Sequence, residues 1–370
     1  MSAKLRLIYF AHSLRSDWNN GNAHFLRGLL RSMQALGHDV IVFEQEANWS
    51  IKNLQSELLG NRSLAECARI YAELNIQTYG ANDSEDIWHE RLSGAEIVIL
   101  HEWNTPILAQ HLLALRDDLG FQLLFHDTHH RASSSPDQMQ QFGLDRFDGI
   151  LAFGESLRTI YRERFNIMQV WTLHEAADVT VFHPIPRQPR EFDVIWIGNW
   201  GEGERSDEIH EFLLEPAKTL HSAAKFAIYG VRYPVDGLLA LQEAHVRYQG
   251  YLPNLDAPSV YATAGITIHI PRQQYISAIL GIPTIRVFEA LACGIPLISA
   301  PWQDTEELFR RDDLCFVENG IAMREMMQHL LANPLAAADQ ARRGLETLLA
   351  RHTCDHRARE LTAICEELLS

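Results

Sequence analysis

Apolar residues along this chain come in short unbroken runs, and between the runs they recur at helical spacing. The first run covers residues 5–11, and a polar loop, SLRSDWNNGN, follows at 13–22. Phe25, Leu26, Leu29, Leu30, Met33 and Leu36 then mark one face of a helix. Gly37 is placed to end it, just past the C-cap. DVIVFE (39–44), EIVILHEW (96–103), FQLLFHDTHH (121–130) and DGILAFG (148–154) read as further strands, with VWTLHEA (170–176) a weaker sixth. Strands that are apolar throughout, alternating with helices, predict a parallel sheet covered on both faces.

Three prolines stand in HPIPRQPR at 183–190, a stiff connection outside any core, and we place a domain boundary there. The pattern then restarts. FDVIWIG (192–198) predicts a strand running into a Gly-rich loop, NWGEGER, and a helix. KFAIYG, VRYQGYL and GITIHIP are further strand candidates; residues 284–292 predict a helix and 295–300 a strand. The end of the chain is mostly helical. Two halves of one α/β type, 1–185 and 186–345, predict two Rossmann-like domains facing across a cleft, with the informative loops at the carboxyl ends of the strands.

Charge narrows the partners. The 370 residues carry 32 Lys and Arg against 48 Asp and Glu, a net −16. With no Lys/Arg run, such a chain is repelled by phosphate polymers, so no nucleic-acid partner is expected. One small anion is still allowed, since a few arginines and a helix N-terminus can hold it. The five cysteines are odd in number and widely spaced, without CxxC, which argues against a disulfide framework or a Cys zinc site and suits a reducing cytoplasm. The first apolar run is too short for a signal peptide. No run approaches the ~18 residues of a membrane span, which leaves peripheral membrane contact open.

The most informative stretch is 282–300. Pro283 and Thr284 mark a helix start and Gly294 its end. The first free N–H groups, at Thr284, Ile285 and Arg286, make an anion site at the positive end of the helix dipole. Glu289 lies one turn after Ile285, about 5.4 Å along the axis, the spacing from a diphosphate back to a ribose. A carboxylate there can accept both hydroxyls of a ribose diol, and Arg286 adds charge beside it. The plain alternative is an amphipathic helix with Glu289 on its solvent face.

The segment RVFEALACGIPLIS (286–299) resembles the nucleotide-sugar motif of GT-B glycosyltransferases, of the CgeB-like and group 1 (family 4-like) kind. NNGNAHFLRGLLRSMQALGHDVIVFE (19–44), HEAADVTVFHP (174–184), IGNWGEGER (197–205) and GLETLLARHTCDHRARELTAI (344–364) resemble other parts of these enzymes, in order, over nearly the whole chain. The resemblance implies a GT-B fold with an N-terminal acceptor domain and a C-terminal domain holding a nucleotide sugar. It also implies a final helix, 346–370, that crosses back to the N-terminal domain. Many related enzymes carry Glu-x7-Glu, the earlier acid touching the transferred sugar. Here Gly281 stands eight positions before Glu289, so that contact is not carried over, and donor sugar and stereochemistry stay open.

In NWGEGER the glycines run GxxGxG, not GxGxxG, and Glu202 and Glu204 would repel a pyrophosphate, which disfavours NAD. By the resemblance Arg205 reaches the donor diphosphate; otherwise it pairs with Asp207 or Glu208. Asn20, Gly21 and Asn22 precede a helix, so Gly21 is placed for the donor phosphate or sugar, while Asn20 or Asn22 can cap the helix. Asn199, Trp200 and Arg272 are expected beside the donor. Tyr251 either faces the base or caps the core.

His126, Asp127, His129 and His130 crowd the end of a predicted strand. A histidine there can act as base toward an acceptor hydroxyl, with a carboxylate setting its tautomer. His129 and Asp127 are expected to face the cleft, with His126 a third candidate. H-x2-H-H has no i, i+4 pair, and neither His-Glu dipeptide completes HExxH, so no metal is expected.

These readings favour a cytoplasmic, metal-independent glycosyltransferase with no cofactor. Its donor is a nucleotide sugar (UDP slightly ahead of GDP or dTDP) and its acceptor an unidentified hydroxyl. The alternatives are a non-catalytic nucleotide-sugar binder and a nucleotide-sugar epimerase of the same fold.

Overall fold

The computed structural model describes residues 4–80, 83–186, 188–201 and 203–370. The chain forms two compact units: one of residues up to Glu175 together with Cys354–Ser370, the other Ala176–Thr353. In the first, seven strands are ordered β3-β2-β1-β4-β5-β6-β7: β1 (Arg6–Phe10), β2 (Asp39–Gln45), β3 (Asn75–Tyr79), β4 (Ile97–His101), β5 (Gln122–Asp127), β6 (Gly149–Ala152) and β7 (Val170–Thr172). In the second, β8 (Phe192–Ile197), β9 (Phe226–Tyr229), β10 (Val246–Tyr248), β11 (Ala264–His269), β12 (Leu297–Ser299) and β13 (Cys315–Phe316) are ordered β10-β9-β8-β11-β12-β13. Each pairing is parallel.

The central strands are apolar because helices cover both faces: Leu7 to Phe10 and Ile97 to Leu100 are wholly buried, as are Val194 and Ile195. Both sheets run outward from their first strand in two directions. The order reverses between β1 and β4 and again between β8 and β11, and loops diverge at such a switch point. The weak sixth run is a true strand, β7. β3 was not anticipated, because this edge strand is half-exposed and mostly polar; nor was β13, two residues long.

Two boundaries differ from expectation. The units divide at Glu175/Ala176, before the proline-rich stretch, because Ala177, Asp178 and Phe182 bury themselves in the second unit. The C-terminal segment is two helices instead of one. Pro334–Arg351 belongs to the second unit, where it buries Ala337, Ala341 and Leu348; Cys354–Leu369 belongs to the first. Within the second unit, Ala177 and Thr353 form an isolated parallel bridge.

The last helix is integral to the first unit. It packs on the helix Ala23–Ala35 and buries Ala358, Leu361 and Cys365 completely. Ser32 Oγ donates to Asp355 Oδ1 at 2.7 Å, Arg357 Nε donates to the His174 carbonyl at 3.0 Å, and His38 Nε2 lies 2.9 Å from Thr362 Oγ1. No helix among the described residues is long and apolar enough to cross a membrane. We expect Leu361→Ala to cost ~2–5 kcal/mol in a urea melt, and exposed Leu369→Ala to stay within about 0.5 kcal/mol. Equal midpoints would show that this helix contributes little to the unit.

Candidate functional site

The loop after β1 is braced from two sides. Glu44 is wholly buried at the end of β2 and accepts from the Leu14 and Arg15 N–H groups at 2.6 and 3.1 Å, and from the Arg15 guanidinium. Arg27, also wholly buried, donates to the Leu14 carbonyl at 2.5 Å. Gly21 is half-buried on the turn that closes this loop. Asn22 occupies the N-cap position but makes no cap bond with its side chain. Its amide instead donates to Thr128 Oγ1 at 2.7 Å, tying the β1 loop to the β5 loop.

From Thr128 the bonds continue inward. Its hydroxyl donates to Glu102 Oε1 at 3.0 Å and lies 3.1 Å from His101 Nε2, which is itself 2.9 Å from Glu102 Oε2. Arg131 donates to the Glu102 carbonyl and stacks 4.2 Å over the Trp103 ring. Burial works against the Glu102 charge, but the attraction and hydrogen bond of His101, with Arg131 beyond, hold its pKa below the usual range. Glu102 is the centre of this network, a role with no sequence signal beyond its place at a strand end.

The three expected catalytic residues separate by exposure. His126 is wholly buried, with Nδ1 2.7 Å from the Tyr9 hydroxyl; burial drives its pKa down to about 3, so the ring is neutral. Asp127, expected to face the cleft, is also wholly buried. Its two oxygens accept from the Tyr161 hydroxyl at 2.5 Å and the His129 N–H at 3.0 Å. Burial, with the Glu102 charge nearby, raises its pKa. His129 is half-buried, edge-on to Trp103 at 4.8 Å and 4.0 Å from the His130 ring. Among the described residues no three His, Cys, Asp or Glu side chains are grouped to hold a metal ion.

The second unit gathers cations at its switch point. Gly201 has φ +82°, and a Cβ there would lie 2.8 Å from Arg205 Cγ, so the turn leaves room for Arg205 to fold back. Arg205 sits over the Trp196 ring and donates to Asn199 Oδ1 at 2.6 Å and the Ile270 carbonyl at 3.1 Å. It does not pair with Asp207 or Glu208. Burial, followed by the charges of Arg272 and Arg286, lowers its pKa to about 9. Arg272, on the loop after β11, donates to Glu204 at 2.5 Å. Glu204 is thus neutralised, in contrast to the expected repulsion of a diphosphate; Glu202 lies outside the described residues.

Thr284 is the extended N-cap of the helix Ile285–Ala292, and Ile285 is buried at its first position. His269, unforeseen from the sequence, ends β11 between Ser299 Oγ at 2.9 Å and Thr284 Oγ1 at 3.1 Å. Burial lowers its pKa to about 3, so it positions the helix start as a neutral ring. Glu289 is wholly buried and accepts from Arg286, so it does not lie on a solvent face. Gly281 has φ +87°, and a Cβ there would meet Thr305 Oγ1 at 2.3 Å, which bars an acid from that position. Tyr251 is half-buried beyond β10, two strands from β8; buried Trp200 packs edge-on to Tyr233.

Residues 205–363 match a family described as glycosyl transferase-like. A comparison of the sequence with curated proteins gives no match. Solved structures share the fold. HepE of Anabaena, solved with UDP and glucose, has TM-score 0.72 and 9% identity, over 97% of this chain and 98% of that one. An alpha-glucosyltransferase, solved with UDP and a 13-mer DNA containing an HMU base, has TM-score 0.71 and 11% identity, over 98% and 100%. Sucrose-phosphate synthase from Thermosynechococcus elongatus has TM-score 0.66 and 15% identity, over 99% of each chain.

Stability of the first unit depends on pH through its buried groups. His126 titrates near 3 when folded, and His12, desolvated in the same unit, near 4, against 6.5 when unfolded. Between those limits the unfolded chain binds more protons, so stability falls as pH drops from 6.5 toward 4. Asp127, its pKa raised, opposes this loss; Glu102, its pKa lowered, adds to it only in stronger acid. We expect His126→Asn to flatten the loss between pH 6.5 and 4.5 in urea melts, and Asp127→Asn to steepen it. Parallel profiles in all three proteins would remove both groups from the account.

Proposed function

We propose, on the premise that this chain is a glycosyltransferase-like protein of the GT-B fold, that it transfers a sugar from a nucleoside diphosphate to a hydroxyl acceptor without a metal ion. The observation that carries this reading is the convergence of Arg205, Arg272 and Arg286 where the connections from β8 and β11 diverge, at the first turn of the helix Ile285–Ala292. Two carboxylates, Glu204 and Glu289, pair with two of the three guanidinium groups. The surplus charge and the helix dipole suit a diphosphate and offset the charge that grows on it as the sugar leaves. Glu289 takes the ribose diol one turn further along the helix. UDP is the favoured donor nucleotide, consistent with the UDP named for two structures of the same fold.

On the acceptor side, His129 is the candidate general base, because it alone of the three expected residues combines partial exposure with a fixed backbone. Asp127 is then a positioning residue, acting through the His129 N–H. With Gly281 where an acid would touch the sugar, that contact falls to other groups. The net charge of −16 favours a small or neutral acceptor over a polyanion.

We expect Glu289→Ala to weaken UDP binding by ~1.5–3 kcal/mol, about 10- to 150-fold in Kd by calorimetry. Unchanged affinity would sink the ribose assignment. Transfer, followed by UDP release, should survive EDTA. Its loss on chelation and return with Mn or Mg would refute the metal-independent reading.

A further inference from the structure

The two residues assigned to the donor on the helix Ile285–Ala292 are bonded to each other. Glu289 has no exposed surface, and the Arg286 guanidinium, one helical turn earlier, bonds its Oε2. Arg286 is itself about one-quarter exposed, so the pair has one member in contact with solvent and one without. The other two arginines differ from it. Arg272 is paired with Glu204, which is itself partly exposed. Arg205 donates to neutral oxygens, of Asn199 and Ile270, and lies over the Trp196 ring. Arg286 is the one cation here whose departure would uncover a wholly buried carboxylate.

That departure has a physical price. A buried carboxylate stripped of its cation loses several kcal/mol unless other donors replace it. A vicinal ribose diol supplies two O–H donors of the right reach. Arg286, once released, needs an anion in turn, and a phosphate beside Arg205 supplies one. Neither exchange is balanced alone. A nucleoside brings the diol but no anion, and inorganic pyrophosphate brings the anion but no diol.

We propose that Arg286 and Glu289 form a latch that opens by exchanging partners, so that the site selects ligands carrying a phosphate and a 2′,3′-diol on one molecule. This deepens, and rests on, the reading of the site as one for a nucleoside diphosphate. It makes a ribonucleoside diphosphate the ligand and disfavours dTDP, whose sugar lacks the 2′-hydroxyl. Arg286 is thereby a specificity-determining residue as well as a phosphate contact.

Calorimetry with UDP, uridine, pyrophosphate and dTDP tests this. Wild type should bind UDP and reject dTDP by about tenfold or more, the change that corresponds to one charge-assisted hydrogen bond. In Arg286→Gln, uridine should bind about tenfold more tightly than to wild type while UDP binds more weakly; adding Glu289→Gln should abolish the uridine gain. The single variant Glu289→Gln, which keeps both shape and Arg286, should bind pyrophosphate about tenfold more tightly, because Arg286 no longer leaves a charge behind. This arm stands even if Arg286→Gln fails to fold. Wild type that binds UDP, with pyrophosphate affinity unmoved by Glu289→Gln, would overturn the latch and leave the donor site standing. Wild type that binds no UDP would overturn both.

Discussion

A parallel sheet whose strands are laid down in both directions from the first must contain one point where neighbouring connections leave toward opposite faces. No loop fills that point, and the free N–H groups of the following helices turn toward it. Most of the chemistry described for this chain follows from that constraint, applied once in each unit. In the first unit, the loops after β1 and β4 open at the β1/β4 reversal, with the β5 loop beside them. In the second, Arg205 follows β8, Arg272 follows β11, and the helix Ile285–Ala292 begins soon after.

The two units handle buried charge differently. In the first, polar groups are matched to one another. Asn22, Thr128, Glu102 and His101 form a connected set, Asp127 is held by Tyr161 and a backbone N–H, and His126 meets Tyr9. Such a set fixes loop shape, because moving one member leaves others unsatisfied in a low dielectric. It also holds the His129 backbone, whose N–H donates to Asp127. In the second unit, among the described residues, two of three guanidinium groups pair with carboxylates and the third rests on neutral oxygens, so the charge is not balanced within that set. A surplus of this kind raises the affinity for an anion and costs little until one arrives, because Arg205 rests on neutral oxygens.

Much of the fold was legible along the chain. Apolar runs located the central strands, because strands buried on both faces carry no polar alternation. The helical spacing of Phe25 to Met33 located the first helix. β3 escaped because an edge strand buries too little to need apolar residues, and β13 because two residues make no pattern. That Arg205 and Arg272 stand on the loops after β8 and β11 was also legible, since strand–loop–helix order puts such loops at the carboxyl ends of strands.

The sequence by itself therefore determined the α/β class, the two-unit plan and which loops carry charge, all of which depend on local periodicity and composition. Tertiary structure alone decided which side chains on those loops are covered and by what. Asp127 and His126 sit beside His129 in sequence, yet they turn inward to Tyr161 and Tyr9, partners from distant segments. Glu289, on a helix face that could have met solvent, is wholly buried, and His269 meets Thr284 because β11 ends beside that helix start. The final helix leaves the second unit at Cys354 instead of residue 346, because the preceding turns bury Leu348 before the chain crosses. Burial is a property of what packs against a residue from elsewhere in the chain, and no local pattern contains it.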